Sequence, residues 1–357
     1  MYKEQSIFAT SKITIEESRL RTYLSGGNIF PLTIELDLTQ KCTRSCPSCP
    51  YLVSRRSKHT LGYPMIDRLF GILGKNTPGV VLSGGEPTSH PQFPGVIKLA
   101  KKKGFREVAV ISNGGFTHQP AIQDALLEYA SSIRFSLYDW QVTEEKYFTE
   151  TLEKISALRT RIEQEGSPLR IGAAMLTRKE VAHRIKPVGL KAIDSGIHWL
   201  YFHPFCVDWD TPYPKQAGQE GVLDAIAGLK ESAPAGANIQ VPVERYSPEP
   251  LFFEKLHGSH FLIQVGADGI NYAGPECKYE EGTALLDLNE HLTDDFLWHP
   301  DRLRKINHLN SDNYTYIATK HRPPMFSDYI QKLNGLRNEQ LSDMIRDPEE
   351  FINPSIV

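Results

Sequence analysis

A chain of 357 residues with 40% hydrophobic side chains can bury a sizeable core, and it has room for one large domain plus a smaller one. Its net charge of −3 gives no general affinity for nucleic acid or anionic lipid, and no apolar run approaches the length that crosses a bilayer. The start, Met1-Tyr2-Lys3-Glu4-Gln5, lacks the charged-then-apolar layout of a secretory signal.

Along the chain, a short amphipathic segment, Ile13–Leu24, ends at Gly26-Gly27 and is expected to pack across the bottom or side of the larger domain. Strand-like apolar runs then alternate with helical patterns. The strands are predicted at Leu32–Leu38, Gly79–Ser83, Glu107–Ser112, Ile133–Leu137, Arg170–Leu176 and Trp199–His203. Helices are predicted at Met65–Leu73, Phe93–Lys103, Ala121–Ala130, Thr143–Gln164 and Ile185–Ser195. Such alternation implies a parallel sheet with right-handed crossovers. The basic run Lys101-Lys102-Lys103 reads as a solvated helix C-terminus whose cations complement the dipole. After about Asp208 the composition becomes loop-like, with Thr211-Pro212-Tyr213-Pro214 and the Pro/Ala/Gly stretch Ser232–Ala237. Asp268-Gly269 between two apolar alternating runs, Phe261 to Tyr272, is a strong hairpin signal.

Chemistry concentrates in two places. The first is Cys42-Thr43-Arg44-Ser45-Cys46-Pro47-Ser48-Cys49, which holds three of the five cysteines just after the first strand. Soft thiolates on one loop suit an iron–sulfur cluster or zinc. A closed structural site normally has four protein ligands, whereas a site that does chemistry keeps one position open. A zinc site would draw its fourth ligand from Cys206, Cys277 or one of the twelve histidines. A disulfide framework suits neither the odd number of cysteines nor their scarcity. The second place is Ser83-Gly84-Gly85-Glu86-Pro87, a Gly-Gly turn and a carboxylate at the end of an apolar strand. Glycines let the backbone approach a ligand closely, and a glutamate beside them can accept from an ammonium group.

The C-x3-C-x2-C spacing followed by Gly-Gly-Glu-Pro resembles the radical S-adenosylmethionine (radical SAM) superfamily. The resemblance implies an α/β fold, a partial (β/α)6 TIM-type barrel over residues 29–208 with a smaller α+β extension over 209–357 and a helical segment over 1–28. It implies one [4Fe-4S] cluster on Cys42, Cys46 and Cys49, and SAM as the second cofactor. In the family an electron from the cluster splits SAM into methionine and a 5'-deoxyadenosyl radical, which takes hydrogen from a substrate. Gly84, Gly85, Glu86 and Pro87 match the segment that holds the SAM amino group. Ser112, Asn113 and Ser136 fall at strand ends used for the ribose and carboxylate, Met175 on the strand that packs against adenine, and Arg178 where it can pair with the carboxylate. The family usually has an aromatic residue before the last cysteine; here Ser48 stands there, and Tyr51 is the substitute expected to face adenine. Each of these also has an ordinary reading: Ser112, Asn113 and Ser136 as turn residues, Met175 as core. Both motifs lie at C-terminal strand ends, where barrels of this kind collect their ligand-binding groups.

The hairpin and the following Cys277 resemble the SPASM or twitch extension of many radical SAM enzymes, but only Cys206 and Cys277 remain beyond Cys49. A fully protein-ligated auxiliary cluster needs four thiolates. None is therefore expected, and the extension is read as a degenerate cap over the substrate. Cys277 has three readings: a buried apolar residue, a remnant of a lost cluster site, or a hydrogen-atom donor to a substrate radical. Cys206 is a second, weaker donor candidate. Asp139, Tyr201 and His203 are substrate contacts by position alone. The implied activity is hydrogen abstraction from a small polar substrate of sugar, aminoglycoside or nucleoside type, in a redox-neutral reaction such as epimerisation or rearrangement. A peptide-modifying maturase is the alternative enzyme, and a non-enzymatic metal or electron-transfer protein the alternative of another class. A flavodoxin- or ferredoxin-type electron donor, no nucleic-acid or membrane partner, and a cytoplasmic location complete the expectation.

Overall fold

The computed structural model describes residues 9–46, 49, 58–116, 119–138, 146–204, 219–246, 251–313, 322–351 and 353–356. Helix Glu17–Leu24 (α1) precedes six alternating units. The strands are Thr33–Thr39 (β1), Gly79–Gly84 (β2), Glu107–Ser112 (β3), Ser132–Ser136 (β4), Arg170–Thr177 (β5) and Trp199–Pro204 (β6). The helices between them are Tyr63–Leu73 (α2), Phe93–Lys103 (α3), Pro120–Tyr129 (α4), Lys146–Glu165 (α5) and Ile185–Asp194 (α6). Each sequence-predicted element is present, with ends shifted by a few residues.

β1 to β6 pair in parallel and in chain order, as in a partial barrel. Alternation along each strand divides the side chains between two faces. Ile34, Leu36 and Leu38, Val80 and Leu82, Ile171, Ala173 and Met175, and Leu200 and Phe202 join the helices in the main core. The positions between them, such as Glu35 and Asp37 on β1 or Tyr201 and His203 on β6, line the lumen. Met175 therefore points away from the lumen and into the core. In α3 the lysines of the last turn lie beside the left-handed Gly104 cap (φ 105°), as the helix dipole favours.

Past β6 come Val222–Ser232 (α7), Ile239–Gln240 (β7), Leu262–Val265 (β8), Ile270–Tyr272 (β9), Ala284–Asp287 (β10), Leu288–His291 (α8), Pro300–His308 (α9), Arg322–Asn334 (α10) and Asn338–Ser342 (α11). β8 and β9 form the expected antiparallel hairpin, closed by Gly266 N–H on Ile270 O (2.9 Å) with Gly269 at φ +83°. The other edge of β8 carries no signal in the sequence. It pairs in parallel with β1, Thr33 to Leu262 through Leu36 to Val265, so the extension continues the barrel's own sheet. β7 adds to β6 at the far side, giving the order β10-β9-β8-β1-β2-β3-β4-β5-β6-β7. The amphipathic N-terminal segment lies against this extension as well as the barrel. Ile13 and Leu20 share a cluster with Phe261, Phe326, Ile330 and Leu333, and Arg19 donates to Pro31 O (2.6 Å) and Asn76 O (3.0 Å). Among the described residues no helix is long and apolar enough to cross a membrane.

Candidate active site

The cysteine loop leaves the C-terminal end of β1 and is held down from three sides. Gly85 N–H donates to Thr39 O and Glu86 N–H to Lys41 O, both at 2.8 Å, which ties the Gly-Gly segment to the start of the loop. This needs bare glycine. A Cβ on Gly85 would lie 2.4 Å from Lys41 O and 2.5 Å from Gln40 O, and one on Gly84 (φ +133°) would lie 2.4 Å from Thr39 O. From the β3 turn, the Asn113 amide donates to Thr43 Oγ1 (3.2 Å) and toward Cys42 Sγ (3.5 Å). From α5, Thr151 Oγ1 accepts from the Arg44 guanidinium (2.9 Å).

Cys42, Cys46 and Cys49 are half-buried and reduced. Cys49 N–H donates to Cys46 O (3.0 Å), and Cys42 Sγ receives the backbone N–H of Arg44 (3.5 Å) besides the Asn113 amide. N–H donors around sulfur are the usual outer support of a ligating thiolate. Among the described residues no three His, Cys, Asp or Glu side chains close on one ion. A cluster does not ask for that, since each of its thiolates takes a different iron. The donor chemistry fits the group.

Glu86 stands at the end of β2, where its partners are groups of the protein itself. Its carboxylate is fully buried and accepts from Thr88 Oγ1 (2.6 Å), Thr88 N (3.2 Å), Ser112 Oγ (2.8 Å) and Asn113 N (2.7 Å). Burial pushes its pKa above the ordinary value, and the Thr88, Asn113 and Ser112 donors work against that. The side chain thus ties the Gly-Gly-Glu-Pro turn to the β3 turn. A bound ammonium would have to share an oxygen already in use. Ser136 is half-buried on the lumen side of β4, beside Tyr138. Arg178 follows β5 and lies 3.9 Å from Glu180. Pro87 is buried at the start of a short 3-10 turn. Tyr51, Asp139 and Cys206 lie outside the described residues.

Cys277 is buried with Phe253, Leu256, Leu285 and Ile306, and its thiol donates to Gly274 O (3.3 Å). Burial pushes the thiol's pKa up. This surrounding matches the first of its three readings, a small apolar side chain.

Its neighbours in sequence enter the lumen instead. Lys278 Nζ donates to Asp37 Oδ1 and Tyr279 OH to Asp37 Oδ2, each at 2.7 Å. Ser83 Oγ donates to Asp37 (2.7 Å) and Glu35 (3.1 Å). Arg322 of α10 pairs with Glu35 (2.8 Å) and Glu276 (3.0 Å), and Arg245 pairs with Glu276 (2.9 Å). Burial works to raise the Glu35 pKa, but Arg322 and Lys278 hold it below the usual carboxylate value. At β6, burial first, then Arg245 and Arg134, hold His203 well below the usual imidazole value. Tyr201 and His203 lie tilted against each other at 5.4 Å, with Tyr138 edge-on to His203 at 6.2 Å. Tyr279 keeps φ +70°, rare for a side chain of this size, to make its contact. Sequence reasoning missed this network. One signal for it was present: Glu35 and Asp37 alternate with apolar residues in a strand buried on both faces, and buried charges need partners.

A parallel partial barrel whose strand ends carry a supported thiol trio and a glycine turn, beside a charged lumen, defines an α/β fold with a candidate cofactor site at the barrel mouth. No protein-family model matches the chain. It is 34% identical over 83 residues to a 7,8-dihydro-6-hydroxymethylpterin dimethyltransferase of Methanocaldococcus jannaschii, a stretch covering 22% of this chain and 16% of that protein. SuiB of Streptococcus suis is similar in structure, with a TM-score of 0.62 and 13% identity over 82% of this chain and 72% of SuiB. AdoMet-bound anSMEcpe aligns with a TM-score of 0.58 and 11% identity over 88% of this chain and 98% of that one. These likenesses show the fold, on which the thiol trio and Gly-Gly-Glu-Pro stand together at the strand ends.

Proposed function

We propose that this protein is a radical SAM enzyme acting on a small polar substrate held in the barrel lumen, in a redox-neutral reaction such as an epimerisation or rearrangement. Cys42, Cys46 and Cys49 would hold a [4Fe-4S] cluster, leaving one iron for SAM, which on reduction supplies a 5'-deoxyadenosyl radical. The chain's own residues do the rest. Gly84 and Gly85 bring the backbone against the cysteine loop, Glu86 fixes the β3 turn, and Asn113 supports Cys42 from that turn. Ser136 and Arg178 are the candidates for the cofactor's ribose and carboxylate. The lumen network is the observation that carries the substrate reading. Six charged side chains and three tyrosines in the lumen suit a compact ligand rich in polar groups. The supply of electrons falls to a flavodoxin- or ferredoxin-type partner, and clustered thiols suit a reducing compartment such as the cytoplasm. Residues 29–208 form the catalytic barrel in this reading, and the extension from 209 roofs it.

Peptide modification is the second reading. It is favoured by structures of SuiB bound to its precursor peptide SuiA and of anSMEcpe bound to the Kp18Cys peptide. A non-enzymatic electron carrier would have no use for the Gly84-Gly85-Glu86 turn. The test is anaerobic reconstitution with iron and sulfide, followed by SAM and dithionite. The expected product is 5'-deoxyadenosine, abolished in C46A. A reconstituted protein that leaves SAM intact would refute the reading. With SAM deuterium-free and substrate deuterated, transfer of label from a sugar or nucleoside rather than a peptide into 5'-deoxyadenosine would separate the two enzyme readings.

A further inference from the structure

The paired charges of the lumen cancel. Glu35, Asp37 and Glu276 face Lys278, Arg245 and Arg322, three against three, each ion-paired with a member of the other set. Arg134 stands outside this balance. It lies on the lumen side of β4, half-buried, and is in none of these ion pairs. Among the described residues its Nε is buried without an acceptor. A second orphan donor lies in the same layer of the barrel, on β6. Register pairs Arg134 with Gly172 and Gly172 with Trp199, so the three occupy one layer of the barrel. A Cβ on Gly172 would lie 1.9 Å from Trp199 Cε2 and 2.2 Å from Nε1. The missing side chain therefore lets the indole lie across β5 toward Arg134. Trp199 is only 2% exposed, and its Nε1–H also lacks an acceptor among the described residues.

Buried donors are almost always bonded, and each one left unmet carries a desolvation cost. Glu276, the carboxylate that acts on Tyr201 and His203 together with Arg134, is already paired with Arg245 and Arg322, and the other neighbours are not anions. Burial keeps the Tyr138 and Tyr201 hydroxyls protonated, and His203 stays neutral. The layer is also one step deeper than Ser136, which pairs with Ala174 and through it with Tyr201. It therefore lies below the strand ends expected to hold the cofactor.

We propose that Arg134, with the Trp199 N–H of the same layer, binds an anionic group of the substrate, a carboxylate or a phosphate. This rests on the lumen being the substrate chamber, and it narrows the substrate class to small acids or phosphorylated compounds. A planar guanidinium offers paired N–H donors that match either oxyanion.

Titration of full-length protein, labelled with 15N at tryptophan, against sodium phosphate and separately against sodium acetate tests it, with sodium chloride at matched ionic strength as the reference. The Trp199 indole resonance, identified by its loss in W199F, should move with one of the two ions and not with chloride. Which ion moves it tells phosphate from carboxylate. R134Q should weaken that binding about tenfold or more, with R134K intermediate, since charge-assisted bidentate pairs are the strong ones. The proposal is overturned if neither ion moves the resonance, or if R134Q titrates like the parent. A parallel loss of SAM affinity in R134Q would overturn it too, by assigning Arg134 to the cofactor. The titration needs no turnover. A parent protein that binds the ion yet makes no 5'-deoxyadenosine would end the catalytic reading and leave the anion site standing.

Discussion

Replacing Glu86 with alanine should cost about 3–5 kcal/mol of stability, a loss in the range seen when one member of a buried charged network is removed. Four donors converge on the carboxylate: two from Thr88, one from Ser112 and one from the Asn113 backbone. In E86A they are left in a site with almost no solvent, and each unmet donor is worth about 1–3 kcal/mol before water or relaxation offsets part of it. The loss should not stay local. Asn113 is positioned by the same carboxylate and supports Thr43 and Cys42, so the cysteine loop loses its hold on β3. Denaturant unfolding with iron content measured alongside checks this. E86Q keeps the shape but sets an amide N–H against one of the donors. It should be milder, at about 1–3 kcal/mol. An E86A protein as stable as the parent would mean that the carboxylate is no clamp.

G85A should damage the metal site more than the fold. Its added methyl carbon would sit 2.4 Å from Lys41 O and 2.5 Å from Gln40 O, backbone atoms that cannot swing aside. The start of the cysteine loop must then shift by roughly an ångström, at about 1–3 kcal/mol of overpacking strain. Disturbing groups that orient metal ligands typically lowers affinity by about 10- to 100-fold. Iron retention during gel filtration should therefore fall, while unfolding loses no more than that strain. G228A is the matched control. Gly228 lies in α7 with nothing within 4 Å of its would-be Cβ, so alanine should leave iron retention unchanged and favour the helix by about 1 kcal/mol. Equal iron retention in G85A and G228A would refute the close-approach argument.

Much of the barrel was legible because its physics is local. Apolar runs such as Val80–Leu82 and Leu200–Phe202 fit only buried strands, and the stretches between them carry helical spacing and Gly stops such as Gly104. The thiol trio was legible because its chemistry sits within eight residues. What stayed hidden depends on distance along the chain. Lys278 meets Asp37 across 241 residues and Arg322 meets Glu35 across 287; nothing in either neighbourhood names the other. The parallel pairing of β8 with β1 is hidden for the same reason, since a hairpin signal fixes β8 against β9 and is silent about its other edge. Glu86 shows a different limit. The sequence marks the residue, but whether its carboxylate faces a ligand or the protein depends on the Thr88, Ser112 and Asn113 donors gathered behind it.

In the proposed reading Cys42, Cys46 and Cys49 would leave one iron of a cluster open to SAM, and the catalytic reading depends on that vacancy. Electron paramagnetic resonance of the reduced, reconstituted protein, recorded with and without SAM, tests it most directly. The expected signal is that of a single [4Fe-4S] cluster, about four irons per chain, with a shape that changes when SAM is added. A spectrum indifferent to SAM, or zinc bound at Cys42, Cys46 and Cys49 in place of iron, would contradict it.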